Sequence, residues 1–401
     1  MRLKFEVWAD DEKNGFDFDR WASHENNGNM KGAWASEMPE CGVMLSGAEM
    51  DYPLPSFITK ALADFAHNGL FGFTLPDTHY KESICKWMKL TRNWDINPDH
   101  IVATLGTTFG LSTAIRAFTE KGDGVIIQHP SYGRFDRAMV RNGRKVVSNP
   151  LKEQDGVYSL DFEDLEVKMS QPENKMLVLV NPHNPTGRIF DKEDLEKISL
   201  LANKYNVVVF SDEIFAETSQ GKRVVPYAEI DPVMGISCTS LGKTFNLTGV
   251  NQANMVIPND ELREKYQTQK DIDHFGSIDP FFYTLLRAAY TEKGWDWVQQ
   301  MNTHTLKNYE MLKEALKEMP LISVSPLEGT FVAWLDCRKL GFDDKEIEHF
   351  FMVDGLLWAD WGEEYGPGGS GFVRMNIATT KEKMETALAN LKKAYSKRFD
   401  R

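Results

Sequence analysis

Short apolar runs rich in valine and isoleucine alternate along the first two thirds of the chain with stretches in which apolar residues recur every three or four positions. That spacing predicts helices over 55–68 and 77–92, the first with Phe57, Ile58, Ala61, Leu62 and Phe65 on one face. Beyond them it predicts helix 107–119 before strand 124–128, helix 134–141 before strand 145–148, helix 162–170 before strand 175–180, and helix 192–205 before strand 207–210. Strands that are apolar throughout, separated by amphipathic helices, are what a parallel sheet covered on both faces requires. Helical patterns then fill 260–317, followed by an alternating strand at 331–336, a helix near 344–352, a strand at 372–378 and a closing helix from Lys381. The expectation is an α/β fold with three stretches: an N-terminal arm with part of a small domain (1–50), a large domain (51–290) and a small α+β domain (291–401).

Composition agrees with a folded chain of this size. At 401 residues the chain exceeds the roughly 250–300 residues that one core supports, so two domains sharing a cleft are expected. Hydrophobic residues make up 42% and charged residues 26%, which leaves no case for disorder. The net charge is -13 and the basic residues are scattered, which argues against nucleic acid as a partner. Residues 1–13 lack the apolar core of a signal peptide and no run approaches about 18 apolar residues, so a cytoplasmic protein without a membrane partner is expected. Cys41, Cys85, Cys238 and Cys337 lie far apart with no zinc-ligand spacing, and no metal site is expected.

Chemistry enters at the ends of strands. Asn181-Pro-His-Asn184-Pro-Thr-Gly187-Arg188 follows the run 176–180, Ser211-Asp212-Glu213 follows 207–210, and Ser240-Leu-Gly-Lys243-Thr-Phe-Asn246 follows a third apolar run that carries Cys238. Ligands of open parallel sheets bind beyond the carboxyl ends of the strands, so the three motifs point to one site. A lysine amine can form a Schiff base with an aldehyde, a buried carboxylate can hold a protonated pyridine nitrogen, and an asparagine amide can donate to a phenolate oxygen. Together they describe a pocket for pyridoxal 5'-phosphate (PLP).

On these motifs, with Phe16-Asp-Phe-Asp-Arg20, Glu49-Met-Asp51-Tyr-Pro53 and the segment from Gly366 to Arg374, the chain resembles fold-type I PLP enzymes of the class I/II aminotransferase superfamily. Within them it is most similar to the MalY/PatB branch of cystathionine β-lyases, and the similarity covers nearly the whole chain. The resemblance implies an aspartate-aminotransferase-like fold with a mostly parallel seven-stranded sheet. It implies that Lys243 anchors the cofactor and takes the Cα proton, Asp212 pairs with the pyridinium, Asn184 reaches the ring oxygen and Tyr132 stacks on the ring. Gly106, Thr107, Thr108 and Ser240 are implied for the phosphate, and Arg374, with Asn184 and Tyr132, for the amino-acid substrate. It also implies a homodimer with the active site at the interface and Phe73 reaching the neighbouring site.

Some positions depart from the family pattern. Phe215 and Phe73 stand where relatives have hydroxyl-bearing or imidazole side chains, and Gly249 lies near the place of a phosphate-binding arginine. The run Gly366-Pro-Gly-Gly-Ser-Gly371 reads as a flexible active-site turn, and His183 as structural. Trp34, Glu49, Tyr52, Trp358 and Trp361 are candidates to line the entrance. The resemblance implies β-elimination from a cysteine S-conjugate, with transamination as the alternative and a regulatory PLP-binding protein as a third reading.

Overall fold

The computed structural model describes residues 15–20, 28–39 and 41–400. Residues 1–13, on which the expectation of no leader rests, lie outside them. Seven strands form the main sheet: β2 (Ile101–Thr104), β3 (Gly124–His129), β4 (Lys145–Pro150), β7 (Asn174–Val180), β8 (Val208–Asp212), β9 (Gly235–Thr239) and β10 (Ala253–Val256). Their order is β2-β10-β9-β8-β7-β3-β4, and β10 runs against both of its neighbours while the other pairings are parallel; β5 (Lys152–Gln154) and β6 (Val157–Ser159) form a separate antiparallel pair. The seven-stranded, mostly parallel sheet expected from the sequence is therefore present.

Helices pack on the sheet because their apolar stripes need cover and the strands are buried on both faces. Ile126, Val178, Phe210 and Ile236 are fully buried and join the core with Leu111, Ile115, Leu195 and Ile198 from the helices Gly106–Phe118 and Lys192–Tyr205. Aspartates set several helix starts: Asp77 accepts from the Tyr80 amide and Asp191 from the Asp194 amide, each satisfying a donor that has no partner within the helix.

A second, antiparallel sheet is built from β11 (Ser323–Val324), β12 (Val332–Asp336), β15 (Phe372–Asn376) and β14 (Asp360–Trp361). It packs beneath the closing helix Lys381–Phe399. The short strand β1 (Val43–Met44) runs parallel to β13 (Leu357–Trp358), which ties the arm to the C-terminal part of the chain. A further apolar cluster contains Phe18, Tyr80, Trp87, Phe245, Trp297 and Ala378. It spans the boundary expected near 290, so the two sheets are joined by shared core.

Register is what builds the site. Val180 lies opposite Asp212, and Asp212 opposite Cys238, so β7, β8 and β9 end at one level. On the second sheet Arg374 lies directly opposite Asp360. Among the described residues no helix is long and apolar enough to cross a membrane.

Candidate active site

A cavity of about 880 Å³ opens where the carboxyl ends of β7, β8 and β9 meet the second sheet. Its walls include Gly106, Thr107, Thr108, Tyr132, Asn184, Asp212, Ser240, Lys243 and Arg374. Residues spread over 268 positions (374 − 106) are thus brought together.

Lys243 sits in the short helix Leu241–Thr244, whose start is capped by Ser240: the serine hydroxyl accepts from the Gly242 amide and donates to the Gln252 carbonyl at 2.7 Å. The lysine Nζ donates to the Ala48 carbonyl at 2.7 Å and to the Thr248 hydroxyl at 3.4 Å, and lies 5.8 Å from the centre of the Phe215 ring. Its partners are neutral. Burial, reinforced by the nearby Arg374 charge, brings its pKa down to about 8, which favours the free amine.

Asp212 ends β8 with its side chain buried and accepts one backbone bond, from Ile214 at 3.2 Å. Burial pushes its carboxyl up to about 7, because the single backbone bond from Ile214 and the attraction of Lys243 fall short of the lost hydration. Its neighbour Glu213 faces the other way into a buried network. Arg92 donates to Glu213 at 2.7 Å and to Glu217 at 2.9 Å, and Glu217 accepts from the Thr244 hydroxyl at 3.2 Å. The residues next in chain to Asp212 and Lys243 are therefore clamped by one guanidinium.

Asn184 presents its amide from the turn after β7. Its Oδ1 accepts from Arg374 at 2.9 Å, which aims the Nδ2 group elsewhere in the cavity. Arg374 is only 3% exposed and is held by Asp360, whose Oδ2 accepts from Nε at 2.9 Å and from a terminal nitrogen at 2.5 Å. Asp360 in turn accepts from the Ser46 hydroxyl and the Gly47 amide, at 2.8 and 3.0 Å. Tyr132 packs edge-on against Phe135 at 5.6 Å. Gly106 adopts a φ of 73° at the start of the helix Gly106–Phe118, and Thr107 and Thr108 follow in its first turn.

Several expectations need correction. Tyr52 does not line the entrance: it is buried behind it, its hydroxyl donating to the Thr379 carbonyl at 2.9 Å while its ring packs on Phe18. The glycine run 366–371 lies behind the cavity wall, with Gly366 against His129 and Gly368 against Pro130, so it shapes the wall without lining it. Gly249 is also outside the lining, where Val250, Asn251 and Gln252 stand instead. Phe73, expected to reach the neighbouring subunit's site rather than its own, lies outside this cavity and is fully exposed. Trp34, Glu49, Trp358 and Trp361 do line it. His183 is buried, with its pKa pressed down to about 3 by desolvation and one ring nitrogen bonded to Thr186.

Asp360, Arg92 and Glu217 were not singled out from the sequence. Asp360 stands in the otherwise apolar run Leu357-Trp358-Ala359-Asp360-Trp361, and its role shows only in its pairing opposite Arg374.

The family model "Aminotransferase class I and II" matches residues 42–391. Cystathionine beta-lyase PatB of Bacillus subtilis is 35% identical over 354 residues, covering 87% of this chain and 91% of that protein. Protein MalY of Escherichia coli is 27% identical over 348 residues, covering 86% and 89%. The crystal structure of cystalysin from Treponema denticola, which contains a pyridoxal 5'-phosphate cofactor, superposes with a TM-score of 0.92 at 32% identity, over 96% of this chain and 99% of that one.

Proposed function

The chain belongs to the aminotransferase class I and II family, and we propose that it is a PLP-dependent C–S β-lyase that converts cysteine S-conjugates such as cystathionine into pyruvate, ammonia and a thiol. The observation that carries this reading is the pairing of two uncompensated groups in one cavity. Lys243 has only a carbonyl and a hydroxyl as partners, and Asp212 a single amide. A buried amine and a buried carboxyl that, among the described residues, have no carboxylate or cation within ion-pair distance fit a ligand that is an aldehyde at one end and a basic ring nitrogen at the other.

When bound, PLP supplies an electron-withdrawing ring that makes the Cα proton of an attached amino acid acidic. The protein's own residues do the rest. Lys243 anchors the cofactor and holds the Cα proton at Nζ, which its lowered pKa permits near neutral pH. With PLP bound, Asp212 would hold the ring nitrogen protonated, and the Asn184 Nδ2 would be the donor for the ring oxygen. Thr107 and Thr108, with Gly106 and the backbone amides of the first helical turn, receive the phosphate dianion, with Ser240 beside them. Tyr132 covers the ring face. Arg374, oriented by Asp360 and Asn184, takes the α-carboxylate of the substrate.

In the net reaction the Cα–H and Cβ–S bonds break. The sulfur leaves with the electron pair of the C–S bond and takes a proton, and water converts the released enamine into pyruvate and ammonia.

The homodimer belongs to the same proposal and is supported by Phe73, an aromatic side chain wholly exposed beside Phe71 and Leu75.

The test is to incubate the purified holoenzyme with cystathionine, and separately with an amino donor plus a 2-oxo acid. Pyruvate and thiol released without an acceptor are expected. Turnover only in the presence of the oxo acid would move the reading to an aminotransferase, and binding without product to a regulatory protein.

A further inference from the structure

The chemistry at Cα gives work to Lys243, Asp212, Asn184 and Arg374 but leaves two cations in the cavity without a task. Arg134 and Arg137 occupy the first turn of the helix Arg134–Arg141, directly after Tyr132, and both side chains line the cavity. Among the described residues neither has a carboxylate within ion-pair distance, and the contact recorded for Arg134 is with the Tyr132 ring, 5.9 Å from its centre. Arg92, Arg116, Arg188, Arg338 and Arg374, by contrast, are each paired with a carboxylate.

The two arginines are held at the rim by backbone packing. A Cβ on Gly133 would lie 2.5 Å from the Glu364 carbonyl, so the start of this helix abuts the turn Gly362–Tyr365 as only glycine allows. That contact brings Glu364 to the same rim, where it feels the attraction of Arg137 and Arg374 and the repulsion of Asp360. Trp358 and Trp361 flank the opening.

Arg374 already answers to the α-carboxylate of an amino acid. Two further guanidiniums in the same cavity, neither bonded to a carboxylate, answer to a second anionic group on the same ligand, because a planar guanidinium offers two parallel donors to a carboxylate. We propose that Arg134 and Arg137 form a subsite for a carboxylate carried on the departing thiol. The preferred substrates are then cysteine S-conjugates whose sulfur-borne arm is anionic. This rests on the C–S lyase reading and narrows it: Arg374 sets which end enters the chemistry, and the arginine pair reads the other end.

The test compares S-(2-carboxyethyl)-L-cysteine with its carboxamide, which has the same shape and no charge. The wild-type holoenzyme is expected to favour the acid in kcat/KM by roughly tenfold, expressed in KM, with the ratio shrinking as ionic strength rises. In the Arg134→Gln/Arg137→Gln double variant the acid-to-amide ratio is expected to fall toward one. A parallel arm measures binding of L-2-aminoadipate and L-homoglutamine by calorimetry; neither has a β-sulfur to lose, so this arm reads the subsite independently of elimination.

No acid preference in either arm would overturn the proposal, as would a preference that survives in the double variant. Failure of the lyase reading shows differently: no thiol leaves either conjugate, while the calorimetric preference and its loss in the variant still report on the subsite.

Discussion

Asp212 and Lys243 are titratable groups whose ordinary charges the fold works against, and that has a measurable sign in the cofactor-free protein. Burial raises the Asp212 carboxyl to about 7 from 3.8, so between those values the folded state binds a proton that the unfolded state has released. This group therefore subtracts stability progressively as pH rises through that window, and fully above it. Asp212→Asn is expected to raise the denaturation midpoint of the apoprotein at pH 8, with the gain shrinking as pH falls toward 4; an equal gain at both ends would contradict the assignment. The same variant is expected to bind PLP more weakly. Lys243→Ala is expected to abolish the visible absorbance band of the PLP-loaded protein and to cut elimination by roughly 10³-fold or more. Lys243, Asp212 and Asn184 were legible in the sequence because each directly follows an apolar run that reads as a strand. Asp360 and the rim arginines were not, since their meaning depends on which side chain a distant strand or turn brings opposite them.

Elements differ in how openly the sequence declares them. Long amphipathic helices such as Thr78–Arg92 and Lys192–Tyr205 were found within a residue or two. The strands Ile101–Thr104 and Ala253–Val256 were not, being four residues each. The second also carries Asn254, a polar residue made tolerable inside the sheet by the Tyr80 hydroxyl at 2.6 Å. Nor could sequence show that the helix Thr78–Arg92 ends in the cation that bonds two buried carboxylates. Glu217→Ala would leave Arg92 with Glu213 as its carboxylate partner and the Thr244 hydroxyl without its acceptor, at a cost of about 1–3 kcal/mol in urea denaturation. Gly362→Ala tests the turn that carries Glu364: the added Cβ would lie 2.0 Å from the Gly369 carbonyl, and a loss of about 1–3 kcal/mol is expected from the same measurement.

At the scale of the molecule, the segment 70–75 gathers several exposed apolar side chains. Leu70, Phe71, Phe73 and Leu75 are exposed, and the Phe71 ring stacks on Phe281 at 5.3 Å. Phe73→Asp is expected to convert a dimer into a monomer at micromolar concentration in light scattering and to weaken PLP retention; a wild-type monomer under those conditions would overturn the proposed homodimer. The division near residues 50 and 290 remains a proposal, tested by whether limited proteolysis releases fragments there. The pairing of Val43–Met44 with Leu357–Trp358 bears on how the protein is made. Met44 and Leu357 are 313 positions apart (357 − 44), a distance that a ribosome adding 5–20 residues per second needs roughly 15–60 s to traverse. Until Leu357 is added the arm has no β partner, and once Lys243 has been added but Arg374 has not, the nascent chain carries an amine-bearing half-site that cannot yet hold a substrate.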